Sequence, residues 1–167
     1  MQKKVLTEQS LYYGDVSMPE HWQIDRDELT HRILHSHIND NNLPPSKTFD
    51  KLTSYLKEYI NLKYSFNLID KKTWGNIYKP AEITIPLLNI DPVDLRNSPD
   101  FTVLYGVRVN DCSVRIHYND NRRKGRSWDI QLTNNKFIMF PSTNMYYLTN
   151  NQKDSLNFVQ TITYEYI

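Results

Sequence analysis

The sequence is short of cysteine, glycine and long apolar runs, and each shortage excludes a class of protein. It holds one cysteine, Cys112, which excludes an intramolecular disulfide framework and a zinc site built from cysteines. Its four glycines form no phosphate-binding loop, because neither the dinucleotide-binding nor the P-loop fingerprint occurs. No stretch approaches the length of a transmembrane helix. Cys112 lies in an apolar run, which favours an inert core residue over a nucleophile.

The positive and negative charges of the sequence are nearly balanced. A net charge of +1 over 167 residues does not favour a general binder of nucleic acid, because such domains usually carry a strong basic excess. The first ten residues include two lysines, but no long apolar region follows them, so they do not resemble a signal peptide. We expect a globular protein that is not associated with a membrane.

A helical part, predicted over residues 18–66, precedes a strand-rich remainder. Asp25, with Glu28 three residues later, has the form of a capping box, so a helix is predicted over 26–38. A second helix is predicted over 47–64, because one of its faces carries apolar side chains at helical spacing. The residues of that face are Phe49, Leu52, Tyr55, Leu56 and Tyr59. We expect this face to pack against a sheet.

Short β-rich runs make up the sequence from residue 74 to 167, separated by Asn, Asp, Pro and Gly. One of them is "EITIPLLNI" at 82–90, and a further short strand is predicted within 10–18. Many short strands with close turns indicate a sandwich or a barrel. We therefore predict one domain over 1–167, of class α+β and mostly β. Its β-sandwich core spans 74–167, and the two helices pack on one sheet.

Three groups of residues give the strand-rich part a distinctive order. They are Trp74, Asn76 and Pro80, then Tyr105, Gly106 and Val107, then Phe140, Pro141, Ser142 and Asn151. This order resembles the jelly-roll core of the Fe(II)/2-oxoglutarate-dependent oxygenases, and most of all the small phage and bacterial members of that superfamily. The resemblance covers most of the chain. It implies a double-stranded β-helix, a jelly roll of the cupin-like kind.

The resemblance also implies an iron site, and here the sequence departs from the pattern. The superfamily binds Fe(II) with two histidines and one carboxylate. The first histidine place falls on Leu87 or Leu88 and the distal one on Tyr146, and none of them is a ligand of this triad. No Arg or Lys lies at 154–157, where the residue that clasps 2-oxoglutarate is expected. We therefore predict no catalytic residue, no metal site and no cofactor, and a non-catalytic jelly-roll protein that acts in binding or assembly.

In two alternative interpretations, the protein binds a metal or a small molecule. The first is a working dioxygenase, a hydroxylase that uses Fe(II) and 2-oxoglutarate with displaced metal ligands. His117 and Asp120 are its candidates, against the alternative that His117 is a strand-end residue bonded to its hairpin. A second imidazole would have to come from the helical part, from His21, His31, His35 or His37, which we expect to lie away from the barrel mouth. The second alternative is a metal-free jelly-roll cavity that binds a small ligand.

A basic cluster, Arg122, Arg123, Lys124 and Arg126, is the first candidate for contact with a partner. The alternative interpretation is that the cluster is a solvated hairpin tip with no partner. Protein partners or self-assembly are expected, whereas nucleic acid is a less favoured partner because the overall charge is near zero. The composition, rich in Asn, Tyr and Ile, is typical of an AT-rich genome. With the resemblance, it indicates a phage-encoded structural (virion) or accessory protein located in the host cytoplasm or the virion.

Overall fold

The computed structural model describes residues 1–4, 9–17, 24–39, 47–118 and 125–167. In chain order the elements are β1 (Tyr12–Asp15), α1 (Arg26–Asn39), α2 (Lys47–Tyr64), β2 (Leu68–Tyr78), a 3-10 turn (Leu95–Asn97), β3 (Phe101–Arg108), β4 (Cys112–Tyr118), β5 (Arg126–Leu132), β6 (Lys136–Pro141), β7 (Tyr146–Asn150) and β8 (Asn157–Tyr166). Some residues named above lie outside the described residues: His21, Asp120, Arg122, Arg123 and Lys124.

Both helices form where the sequence predicts them. The Oδ1 atom of Asp25 accepts the backbone N–H of Glu28 at 3.0 Å, which caps the first turn of α1. In α2, three residues of the predicted apolar face are buried, while Tyr55 and Tyr59 at its margin are half-buried. Ile60 is buried as well, since it follows Leu56 by one turn.

The strands form two antiparallel sheets. The large sheet has the order β1-β6-β3-β8-β2 and the small sheet the order β5-β4-β7. The predicted class, mostly β with two helices and two packed sheets, is confirmed. The run at 82–90 was expected to be a strand, but it meets β7 only through isolated bridges at Ile83 and Leu87. Pro86, between these bridges, has no N–H to donate, so a continuous ladder cannot form there.

Side chains alternate between two cores. In β3, Val103 and Tyr105 point toward the helices and Leu104 points toward the small sheet. The first core cluster lies between the helices and the large sheet, and its large buried members include Leu29, Ile33, Leu52, Leu56, Ile60, Phe137, Ile162 and Tyr164. The second core cluster lies between the two sheets and includes Cys112, Val114, Ile116, Leu132, Ile138, Phe140, Tyr146, Leu148 and Val159. The large sheet is therefore covered on both faces.

Cys112 is fully buried in the second core cluster. Burial, followed by the nearby charge of Asp111, raises the pKa of its thiol to about 12. The thiolate that would act as a nucleophile is therefore absent at neutral pH. None of the helices in the described part of the chain is long and apolar enough to span a bilayer.

Gly75 marks a close approach of α1 to the large sheet. A Cβ atom at Gly75 would lie 2.3 Å from Cγ1 of the fully buried Ile33. We predict that Gly75→Ala lowers the free energy of unfolding by about 1–3 kcal/mol, because overpacking forces neighbouring side chains to shift. Urea unfolding measures the change.

Gly14→Ala is the matched control. A Cβ atom at Gly14 would lie 3.5 Å from the ring of Phe137, an ordinary contact distance. We expect this variant to keep the wild-type unfolding midpoint. Equal losses in the two variants would contradict the assignment of the effect to crowding at Ile33.

Candidate functional site

Two residues at the expected ligand places face each other across strands. The backbone N–H of Leu87 donates to the carbonyl oxygen of Tyr146 at 2.8 Å, and the N–H of Tyr146 donates to the carbonyl oxygen of Leu87 at 3.0 Å. Leu87 is half-buried and packs against the second core cluster. Leu88, the other candidate, is 40% exposed. The structure therefore brings Leu87, rather than Leu88, together with Tyr146.

Asn89 joins this pair, and the sequence reasoning missed it. Its Nδ2 donates to the Tyr146 hydroxyl at 3.1 Å and to the Thr102 hydroxyl at 3.2 Å. Thr102 in turn lies 2.8 Å from the Ser142 hydroxyl, and both of these side chains are buried. We call these four residues, Asn89, Thr102, Ser142 and Tyr146, the polar plug. Counting two residues on from Leu87, the spacing of a His-x-Asp pair, would have found Asn89.

Tyr146 is held as a neutral phenol. Its ring packs against Phe140, with centroids 5.0 Å apart and planes at 63°. Burial raises the pKa of Tyr146, and the hydrogen bond from Asn89 offsets part of that rise. The hydroxyl therefore stays protonated at neutral pH, when a metal would require the tyrosinate.

A cleft opens beside the polar plug, between β2 and the segment 82–89. Its volume is about 420 Å³, and it is lined by Trp74, Asn76, Ile77, Tyr78, Glu82, Ile83, Thr84, Ile85, Leu87, Asn89, Tyr146 and His37. His37 comes from α1, so the expectation that the helical histidines all lie away from this region is wrong for that residue. His37 lies one helical turn after Ile33, which packs on the large sheet, and its side chain reaches the edge of the cleft.

His117 lies on the other side of the small sheet. Its ring packs edge-on against Tyr147, with centroids 5.1 Å apart. Ile116, the preceding residue of β4, points into the second core cluster, so His117 points away from it, as predicted. Asp129, the carboxylate on the neighbouring strand, is engaged by Arg115 through two contacts of 2.7 and 3.0 Å. Arg126, the described member of the basic cluster, begins β5 and is exposed.

No protein-family model matches the sequence, and no curated protein is significantly similar to it. Solved structures do match. A prolyl-4-hydroxylase from Pseudomonas putida superposes with a TM-score of 0.66 at 10% identity, over 94% of this chain and 92% of that chain. A viral collagen prolyl hydroxylase from Paramecium Bursaria Chlorella virus-1, solved with 2OG, gives 0.64 at 12% identity, over 94% and 96%.

A third structure agrees. The prolyl hydroxylase from Trichoplax adhaerens, in complex with a hypoxia inducible factor peptide fragment, gives a TM-score of 0.62 at 13% identity, over 93% of this chain and 83% of that chain. The chain has a 2OG-Fe(II) oxygenase-like fold. At these identities the likeness concerns the fold alone.

The residues at the expected ligand places do not fit iron. Leu87 has no donor atom in its side chain, Asn89 is an amide, and Tyr146 is a neutral phenol, whereas a non-haem Fe(II) site requires imidazoles and a carboxylate. Among the described residues, no group of three or more His, Cys, Asp or Glu side chains is placed to hold a metal. Near the expected 2-oxoglutarate clasp, β8 begins with the buried Asn157, whose Oδ1 accepts the N–H of Asn110.

The hydrogen bonds of the polar plug can be tested by their effect on the stability of the protein. We predict that Tyr146→Phe lowers the free energy of unfolding by about 0.5–1.5 kcal/mol, because Asn89 loses a buried hydrogen-bond partner. In a double-mutant cycle with Asn89→Ala, the two losses should not add. Tyr147→Phe, on the outer side of the same strand, is the control and should be neutral. Additive losses would mean that Asn89 and Tyr146 do not interact.

Proposed function

We propose that the chain is a non-catalytic binding or assembly protein built on an oxygenase-like fold. The observation that carries this proposal is the composition of the expected ligand places. Leu87, Asn89 and Tyr146 stand where two imidazoles and a carboxylate are expected, and the latter two hydrogen-bond to each other. A hydrogen-bonding set whose members satisfy one another stabilises the fold and leaves fewer groups to bind a metal.

The packing between the sheets supports the same proposal. Side chains of both sheets fill this space, and the ring of Phe140 lies against Tyr146. Leu104, Ile138 and Leu148 are fully buried there. Close packing at these residues favours a structural role for their side chains. The absence of Arg and Lys from 154–157 agrees with a protein that does not hold 2-oxoglutarate.

We further propose that the protein is a phage-encoded virion or accessory protein, located in the host cytoplasm or the virion, with protein partners or copies of itself as its contacts. The composition rich in Asn, Tyr and Ile supports this assignment. The viral collagen prolyl hydroxylase is a second support, because it places a similar fold in a virus.

A second candidate function is a hydroxylase with displaced ligands that uses Fe(II) and 2-oxoglutarate. Two observations favour it. The three structures compared above are all prolyl hydroxylases, and His37 lines the cleft beside Tyr146. Such an enzyme would need a carboxylate and another imidazole at the same cleft, and Glu82 is its one described carboxylate.

One experiment separates the two candidates. The wild-type protein and the triple variant Leu87→His/Asn89→Asp/Tyr146→His are titrated anaerobically with Fe(II), with and without 2-oxoglutarate. We predict no thermal shift and no charge-transfer band for the wild type. The triple variant should bind Fe(II), because it restores two imidazoles and one carboxylate. At a hundredfold excess of metal over Kd, its Tm should rise by roughly 5–10 °C.

The matched control moves one histidine by one residue. Leu88→His/Asn89→Asp/Tyr146→His carries the same three side chains, but its first histidine starts from an exposed position and should bind Fe(II) much more weakly. A charge-transfer band in the wild type would return the hydroxylase to first place. Equal binding by the two triple variants would contradict the alignment of Leu87 with the first histidine.

A further inference from the structure

Three of the sheet edges are blunted. A free edge strand can pair with another chain, and proteins block this with short strands, bulges, charges and proline. β1 has only four residues. β2 has a register irregularity between Asp70 and Lys72, beside a further lysine, Lys71. The segment 82–88 beside β7 contains Pro86 and meets its neighbour through two isolated bridges.

Among the described strands, β5 is an edge that has neither a proline nor a break in its register. Its charges are Arg126 and Asp129, and Lys136 Nζ contacts the carbonyl of Gln131 near its end. β5 has seven residues, Arg126–Leu132, and contains no Pro, Gly or Lys. Its register with β4 runs unbroken from Tyr118↔Arg126 to Cys112↔Leu132. Trp128, near its middle, is 58% exposed. A long, regular edge that carries an exposed tryptophan is a surface for association.

The hydrogen-bond pattern identifies the backbone groups that face outward. The N–H of His117 donates to the carbonyl of Met145, so the odd-numbered residues of β4 bond toward β7. Because bonded pairs alternate in antiparallel ladders, the even-numbered residues of β4 bond to β5. The outward N–H and C=O groups of β5 therefore belong to Ser127, Asp129 and Gln131. Lys136 Nζ reaches the carbonyl of Gln131 at 2.8 Å, which agrees with this assignment.

The side chain of Trp128 lies on the inner face of β5. Trp128 is directly opposite Ile116, a member of the second core cluster, and cross-strand partners share a face. An apolar cleft of about 330 Å³ opens next to it. Its apolar lining includes Leu11, Tyr13, Ile116, Trp128 and Phe140. Another strand added to β5 would cover this tryptophan.

We propose that β5 pairs antiparallel with β5 of a second copy of this chain, so that the two small sheets join into one continuous sheet of six strands. This inference rests on the proposed function as an assembly protein, and it names the partner as the chain itself. A strand that pairs with its own copy must present a sequence that is complementary to itself when reversed.

Self-complementarity selects one register. In an antiparallel pair of β5 strands, residues whose backbone groups face outward must lie opposite residues of the same kind in the second copy. Two registers meet this condition and pair seven residues of each copy. One is centred on Trp128 and the other on Asp129. The register centred on Asp129 places two carboxylates directly opposite, which is unfavourable. The register centred on Trp128 places Ser127 opposite the second copy's Asp129. It also brings the two tryptophans together as a non-hydrogen-bonded pair, the pair type with the closest side chains.

The charges on the outer face fit the register centred on Trp128. Asp129 forms a salt bridge of 2.7 Å with Arg115 of its own copy, so its negative charge is already balanced before two copies meet. Across the new junction, His117 and Ser127 of one copy would continue the row formed by Asp129 and Arg115 of the second copy. No two charges of the same sign stand opposite each other in that row.

The first test compares two substitutions of Ser127. Proline at this position removes an outward N–H, so the dimer loses two symmetric hydrogen bonds while the β4–β5 ladder keeps all of its own. Alanine keeps the N–H and is the matched control. The oligomeric state is measured by light scattering and by sedimentation over a dilution series. We expect wild type and Ser127→Ala to be dimers that dissociate on dilution, and Ser127→Pro to weaken dimerisation at least tenfold.

Circular dichroism and the urea midpoint at low concentration check that Ser127→Pro still folds. A wild-type protein that is monomeric at millimolar concentration overturns the proposal. A Ser127→Pro variant that folds and dimerises as tightly as the wild type overturns it too. Neither result bears on the iron titration, so the failure of this inference and the failure of the non-catalytic assignment are distinguishable.

The second test reads the register by disulfide crosslinking. A cysteine at Trp128 would face its own copy at a Cα separation of roughly 4.5 Å, within the range of a disulfide. We expect Trp128→Cys to give a covalent dimer on mild oxidation, and Ile130→Cys, on the same face, to give none. Cys112 does not compete because it is buried. A covalent dimer from Asp129→Cys alone would overturn the register centred on Trp128.

Discussion

The large sheet has to be covered on both of its faces, and the rest of the structure follows from this constraint. β8 lies inside the sheet, between β3 and β2, and its first eight residues are buried. Its side chains therefore alternate between two cores, so the helices must cover one face and the small sheet the other. The contact of Gly75 with Ile33 and the hydrogen bond from the Tyr164 hydroxyl to the carbonyl of Thr53 both belong to the helical cover.

The same constraint explains the position of the segment 82–88. The segment 82–88 extends the small sheet through its pairing with β7, and the small sheet covers the inner face of the large one. Leu87 and Tyr146 supply backbone hydrogen bonds at this point whatever their side chains are. Their side chains serve as packing residues, and the ring of Tyr146 lies against Phe140.

Sequence reasoning succeeded where local chemistry decides the outcome. The carboxylate of Asp25 and the spacing of Leu52 and Leu56 suffice to predict the helices, and alternation suffices for most strands. It failed where topology decides. Trp128 stands in an alternating run that looks like any half-buried strand, and only the order of strands shows that β5 is an edge. Asn89 was missed because an amide carries no distinctive pattern until Thr102 and Tyr146 surround it.

The pairing of β2 with β8 has a consequence for how the chain reaches this structure. It joins Leu68 to Tyr166 and Tyr78 to Asn157, and the whole small sheet lies between these strands in the sequence. Loops of that length carry a large closure entropy, and folding slows as contacts become less local. The helices and the β4–β5 hairpin can form early, whereas β8, an inner strand of the large sheet, pairs last. Until β8 inserts, the backbone edges of β2 and β3 that will face it stay unpaired, and unpaired strand edges favour association between folding chains.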